Sequence, residues 1–211
     1  ASSVGAGQVL SNMVLSGPSA LHGNARTVGG GSSHGLWSVT WTEKGIFMAN
    51  MTGDTVASAI GASGARDGVD QGGPWLTPTN VAGDVEEWED ATPLLYLYRQ
   101  SAVDSGGVGR YRGGNGLDTA MTSHKAENVH GHMHGSDAAI NLEHGLSGGF
   151  PGRSGDYTFV ANSNVQSLFA GSNPPANPRE LKERMGEPTR LHARAIIPMA
   201  PKNVLLVGHP A

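Results

Sequence analysis

Apolar residues come in short bursts along this chain, separated by polar stretches in which glycine recurs every few positions. The clearest burst, Leu36 to Thr42, sets Trp37, Val39 and Trp41 opposite Leu36, Ser38, Thr40 and Thr42. That period of two predicts a half-buried strand. Glu43-Lys44-Gly45 then reads as a turn and Ile46 to Met51 as a second strand, so the two form a hairpin. Further strands are predicted at Val85–Trp88, Leu94–Tyr98, Leu117–Ser123, Val129–His134, Tyr157–Val160 and Asn203–Val207. Helix signals are sparse. Val4, Val9, Leu10 and Met13 fall on one side of a short helical tail over residues 4–15. Asn177-Pro178-Arg179-Glu180 opens a second helix running to about Met185, with proline in its first turn and Gly186 near its end. Ser16–Gly35, Gly53–Gly83, Asp104–Gly116 and Ser147–Gly155 read as loops, and the prolines of Asn173–Pro178 make a stiff connection. No internal repeat is evident. The expected fold is mainly β with minor helices, an α+β arrangement with long glycine-rich loops.

Composition narrows the function classes. Glycine supplies 32 of 211 residues, about twice the usual share of about 7 %. It has no triplet period, and the apolar bursts interrupt it too often for a disordered linker. The absence of cysteine excludes a disulfide scaffold, thiol catalysis and thiolate zinc sites. A net charge of -4 offers no electrostatic reason to expect nucleic acid or an anionic membrane as partner. No apolar stretch approaches the roughly 20 residues of a membrane span. The expectation is a loop-rich cytoplasmic protein. The chain begins Ala1-Ser2-Ser3, with no initiator methionine and no signal-peptide pattern.

Three groups of residues are able to carry chemistry. His130, His132 and His134 alternate, so a strand there puts three imidazoles on one face. Such a face suits zinc, manganese or iron, with Asp137 or Glu143 as a nearby carboxylate. It equally suits an anion, a subunit contact or plain solvation. The second group is Asp104–Gly114, where Arg110 and Arg112 alternate beside Gly106, Gly107 and Gly109. Two arginines and bare backbone N–H groups fit a carboxylate or phosphate. The competing reading is a sharp turn whose arginines pair with Glu86, Glu87 or Glu89. The run is not a Walker loop, since no Lys-Ser/Thr follows the glycines, and it is no dinucleotide fingerprint. The third group, Arg66, Asp67 and Asp70 in Gly64–Gly73, reads either as a functional loop or as one ordered by internal Arg–Asp pairs. Serine hydrolase chemistry is not supported, for no G-x-S-x-G motif occurs. Trp37, Trp41, Trp75 and Trp88 read as core or interface anchors.

Four blocks, GASGARDGVDQGG (Gly61–Gly73), GDVEEWEDATPLLYLYRQ (Gly83–Gln100), DSGGVGRYRGGNG (Asp104–Gly116) and GLSGGFPGRSG (Gly145–Gly155), occur in that order. Together they resemble the C-terminal part of the hydantoinase B/oxoprolinase family, and the DSGGVGRYRGG run is the most specific of them. The GDVEEWE block with its Leu/Tyr-rich strand is similar to the large subunits of acetone and acetophenone carboxylases. The resemblance implies a heteromeric ATP-dependent enzyme. A hydantoinase A-like partner would bind ATP with Mg2+, and Mn2+ or Zn2+ would sit in the complex. The carboxylase branch implies a ketone joined to bicarbonate through phosphorylated intermediates. The other branch implies hydrolysis of a cyclic amide. Arg110, Arg112, Asp67 and Asp70 are then the candidate catalytic residues, and His130, His132 and His134 the candidate metal ligands. A stand-alone metal module and a purely structural scaffold that docks catalytic partners are the non-enzymatic alternatives. Family members run to more than twice this length. Residues 1–35 are therefore expected to be a remnant of an upstream region with a glycine-rich loop. Residues 36–211 would form the C-terminal β-rich domain, the rest of the subunit being a partner. Ser147 stands where an aromatic residue is common in the family.

Overall fold

The structure is a computed structural model, and it describes residues 36–52, 59–71, 83–134, 145, 148–191 and 194–209. The helical reading of 4–15, the remnant 1–35, and Trp75, Asp137, Glu143 and Ser147 lie outside these residues.

Two antiparallel sheets form the body. The first holds β1 (Leu36–Glu43), β2 (Ile46–Met51), β5 (Glu127–His134) and β8 (Arg194–Pro198), in the order β2-β1-β5-β8. The second holds β3 (Leu94–Ser101), β4 (Leu117–Ser123), β6 (Asp156–Val160), β7 (Thr189–Arg190) and β9 (Val204–Gly208), in the order β3-β4-β9-β6-β7. The β1–β2 hairpin closes on the pair Glu43↔Ile46, with Lys44 and Gly45 both at positive φ in a two-residue turn. The alternation read in Leu36–Thr42 sends Val39 and Trp41 inward, while a bulge between Leu36 and Ser38 brings Leu36 to the same side.

The inner faces of the two sheets meet in one core. Val39, Trp41, Val129, Met133 and Ile197 from the first pack against Leu94, Met121, Tyr157, Leu205 and Val207 from the second. The far face of the second sheet is covered by helices α2 (Val165–Ala170) and α3 (Pro178–Arg184), where Val165, Leu181 and Met185 cover Ala120, Val160, Val204 and Leu206. Strand β9 therefore lies at the middle layer and is buried along its whole length. This explains its unbroken apolar run, since a strand covered on both faces has no polar side to alternate with. Helix α3 begins as expected, Asn177 accepting from the Glu180 N–H at 3.0 Å with Pro178 behind it.

One expected strand is a helix. Val85–Trp88 belongs to α1 (Val85–Ala91). The Asp84 carboxylate caps it by accepting from the Glu86 N–H at 2.9 Å, and Glu86 and Glu87 lie at the positive end of its dipole. The V-E-E-W spacing that passes for alternation is the i, i+3 spacing of one helical turn. Helix α2 and strands β7 and β8 carry no local signal of their own. Helix α2 has no side-chain bond at its N-cap, and β8 ends on a proline at a sheet edge. Among the described residues no helix is long and apolar enough to cross a membrane.

Leu205→Ala removes a fully buried side chain from the shared core and is expected to cost about 2–5 kcal/mol. Phe47→Ser, on a side chain 71 % exposed, is expected to change stability by less than about 0.5 kcal/mol. Urea unfolding of the two variants checks the contrast, and equal losses would contradict the placement of the core.

Candidate functional site

Three of the glycine-rich blocks close on one another at one end of the second sheet. The segment between β3 and β4 runs from Ala102 to Gly116, and its base is closed by Ala102 N–H donating to the Gly116 carbonyl at 2.9 Å. Inside that base, the buried Ser105 hydroxyl donates to the Ala102 carbonyl (2.7 Å) and accepts from the Gly116 N–H (2.9 Å). The expected strand-like course of Arg110 and Arg112 is instead a series of turns and bends.

The first block lies along this segment. Gly68 N–H donates to the Arg112 carbonyl at 2.7 Å, Gly114 N–H to the Ile60 carbonyl at 3.1 Å, and Gln71 N–H to the Asn115 carbonyl at 3.1 Å. A Cβ at Gly114 would run into the Val69 carbonyl. Only glycine lets the two backbones approach this closely. The last block flanks the other side: Phe150 N–H donates to the Val108 carbonyl and Arg153 N–H to the Ser105 carbonyl, both at 2.8 Å. Gly107 sits at that crossing, where a Cβ would strike the Phe150 carbonyl.

Side chains lock the same junction. Asp67 accepts from the Arg112 N–H at 2.8 Å. Asp70 Oδ1 accepts from Arg112 Nη1 at 2.9 Å and from the Asn115 N–H at 2.7 Å. Asn115 Oδ1 in turn accepts from the Gly106 N–H at 3.2 Å. Burial acts to raise the Asp70 carboxyl, but the Asn115 N–H and the Arg112 side chain outweigh it and hold the group below its ordinary value. Of the four candidates, Asp67, Asp70 and Arg112 are thus brought together, and they bond to each other. Arg112 pairs with Asp70 rather than with Glu86, Glu87 or Glu89. Glu89 instead accepts from the Tyr96 N–H at 2.7 Å. Arg110 stands apart: it is exposed, with its guanidinium 5.4 Å from the Tyr111 ring centroid. Val108 and Phe150, 69 % and 72 % exposed, lie on the same pair of loops.

A second anchor was not evident in the sequence. Arg153 Nη2 donates at 2.8 Å both to Asp118 Oδ1 at the start of β4 and to the carbonyl of the fully buried His209 after β9. Burial, with the Asp118 and Asp156 charges added, pushes the nearby Tyr98 phenol well above its ordinary value against the opposing Arg153 charge, so it stays neutral. The G-R-S-G of the last block and the G-G-N-G of the third held the signal for Arg153 and Asn115, since each is a polar side chain set among glycines.

The histidines follow a different geometry. His130, His132 and His134 share the outer face of β5, alternating with buried Val129, Gly131 and Met133. His130 is exposed, and its Nδ1 lies 2.9 Å from the Asn128 carbonyl. Among the described residues no three His, Asp or Glu side chains gather closely enough to hold a metal ion. Strand spacing keeps same-face neighbours nearly 7 Å apart.

Because the folded chain holds the Asp70 carboxyl below its unfolded value, the bond network it supports is complete above about pH 4 and is lost as pH falls through the lowered folded value. Amide exchange at Asn115 and Gly68 checks this: protection should hold from about pH 6 to about pH 4 and fall towards pH 2. With Asp70 and Arg112 each 44 % exposed, Asp70→Asn should cost about 0.5–1 kcal/mol after solvent screening. Protection that is unchanged in the variant would contradict the role of Asp70.

The family model for hydantoinase B/oxoprolinase matches residues 2–210. The alpha subunit of acetone carboxylase from Xanthobacter autotrophicus (strain ATCC BAA-1158 / Py2) is 35 % identical over 134 residues, covering 59 % of this chain. The solved nucleotide-free acetone carboxylase superimposes with a TM-score of 0.69 over 87 % of the chain, at 25 % identity. The ATP-dependent caprolactamase from Pseudomonas jessenii shares the fold, with a TM-score of 0.59 at 16 % identity over 89 % of the chain. The chain spans 17 % of the length of that alpha subunit, and 26 % and 29 % of the two solved chains. With its blocks in order and its fold matched, the chain belongs to the hydantoinase B/oxoprolinase family.

Proposed function

We propose that this chain is one component of a heteromeric ATP-dependent carboxylase-like enzyme, joining bicarbonate to a ketone of the acetone or acetophenone type through phosphorylated intermediates. The observation that carries this reading is the 35 % identity with an acetone carboxylase alpha subunit. In this reading ATP and Mg2+ are held mainly by a hydantoinase A-like nucleotide-binding subunit, and the remaining part of the hydantoinase B-like subunit completes the assembly. Any Mn2+ or Zn2+ belongs to the assembled complex. His130, His132 and His134 do not gather as three ligands among the described residues.

The platform formed by the three interlocked glycine-rich blocks contributes electrostatically. Phosphoryl transfer and carboxylation both collect negative charge on oxygen, and a pre-placed cation stabilises that charge where water is restricted. Arg112 is engaged by Asp70, whereas Arg110 extends past the network with its guanidinium over Tyr111. Arg110 is therefore assigned to contact the phosphate or carboxylate oxygens. Asp67, Asp70 and Arg112 act as positioning residues that hold its loop.

The test is ATP hydrolysis by the purified assembly. It should depend on both ketone and bicarbonate, and Arg110→Ala should lower that turnover at least about tenfold with the assembly intact. Loss of assembly in the variant would make the chain a docking scaffold instead. Turnover of a hydantoin or lactam without ketone stimulation would place the complex in the amidohydrolase branch.

A further inference from the structure

The sequence holds a single Asn-Gly pair, Asn115-Gly116, and the fold sets it at the base of the glycine platform. Asn-Gly is the dipeptide in which an asparagine side chain loses ammonia most readily, because glycine puts no Cβ in the way of ring closure. The reaction needs the Gly116 nitrogen stripped of its proton and brought onto the side-chain carbonyl carbon of Asn115. Both groups are held here. Gly116 is buried, and its N–H donates at 2.9 Å to the hydroxyl of Ser105, which is itself buried and donates at 2.7 Å to the Ala102 carbonyl. The Gly116 carbonyl accepts from the Ala102 N–H at 2.9 Å. The Asn115 side chain is fixed at both ends, its Oδ1 accepting from the Gly106 N–H at 3.2 Å and its Nδ2 donating to Asp70 Oδ2 at 3.4 Å. Its backbone is fixed as well, the N–H donating to Asp70 Oδ1 at 2.7 Å and the carbonyl accepting from the Gln71 N–H at 3.1 Å.

We propose that Asn115 is a latent deamidation site, guarded by the Ser105 hydroxyl, and that its conversion unlocks the platform irreversibly. The Gly116 proton points into a buried bond, so base reaches it only when the Ala102–Gly116 closure opens. Deamidation therefore proceeds through that opening and is slowed by its equilibrium. Once the proton is removed, the Gly116 nitrogen attacks Asn115 Cγ. The bond from Cγ to the side-chain nitrogen breaks, and that nitrogen leaves as ammonia with a proton from water, giving a cyclic imide. Water then opens the ring at either carbonyl. One opening leaves aspartate, the other isoaspartate, in which the chain runs on through the former side-chain carbon. The net change is water taken up and ammonia released. The aspartate product sets a second carboxylate beside Asp70 where an amide N–H had donated, and like charges that close repel. The isoaspartate product lengthens the backbone by a methylene between the Asp70 contact and the Ser105 contact, so the two fall out of register. The proposal is independent of the carboxylase reading, since the chemistry uses only this chain and water.

The experiment incubates the full chain in mildly alkaline buffer at physiological temperature, folded and in urea. Position 115 is followed by peptide mass spectrometry, with isoaspartate resolved by chromatography. The folded chain should convert at least about tenfold more slowly than the unfolded one. Ser105→Ala removes both bonds of the hydroxyl, so conversion in the folded chain and amide exchange at Gly116 should both rise about tenfold. Asp70→Asn, a milder loosening, should raise both by about two- to fivefold, and it carries the test if Ser105→Ala does not fold. Asn115→Asp, made directly, should lower amide protection at Gly68 and Gln71 while β9 stays protected. Equal conversion in the folded and unfolded chain would overturn the guard, as would variants that speed Gly116 exchange without speeding conversion. Unchanged protection at Gly68 and Gln71 in Asn115→Asp would overturn the unlocking.

Discussion

The close approach of three backbone segments, closer than any side chain larger than hydrogen allows, is the constraint on which the loop end of this molecule depends. At Gly114 and Gly107 a methyl group would meet a carbonyl of the neighbouring segment. The gain is a set of direct bonds between segments distant in sequence, from Gly68 to Arg112, Gly114 to Ile60 and Phe150 to Val108. These replace the solvent bonds that exposed loops would otherwise make. At these crossings glycine is therefore a packing requirement. It turns segments with almost no regular secondary structure into a defined surface.

That surface has to be mounted on something rigid, and the mounting runs through Arg153. Its guanidinium joins the last glycine-rich block to Asp118 on β4 and to the His209 carbonyl after β9. Strands β4 and β9 are neighbours in the middle layer, packed on both sides by core. Displacement of the platform would thus have to disturb the most buried strands. The proposed role of the platform draws on this rigidity, because a preformed cation does its work only while it is held in place.

The legible part of the fold was the part with a period. Leu36–Thr42 alternates because one face is core, and Val204–Val207 is apolar throughout because both faces are. Val85–Trp88 misled because one turn of a capped helix presents the same short pattern as a half-buried strand. Nothing in Val165–Ala170 or Arg194–Pro198 announces its state, since packing against β9 and pairing with β5 decide it. For the site, composition located the loops and carried Asp67, Asp70 and Arg112 into view, while the pairing of Asp70 with Arg112 spans 42 positions and is visible only once the loops are folded. The histidine alternation on β5 was readable for the same reason that the strands were, a period of two.

The most direct test of the account is residue-resolved hydrogen exchange on the Gly107→Ala variant. A platform held by mutual backbone contact should fail as one unit. The amides of Gly68, Gly113, Gly114 and Phe150, drawn from all three blocks, should lose protection together, while those of β9 stay protected. If protection is lost only at the residues next to position 107, with Gly68 and Gly114 unchanged, the blocks are independent loops and the interlocked platform is contradicted.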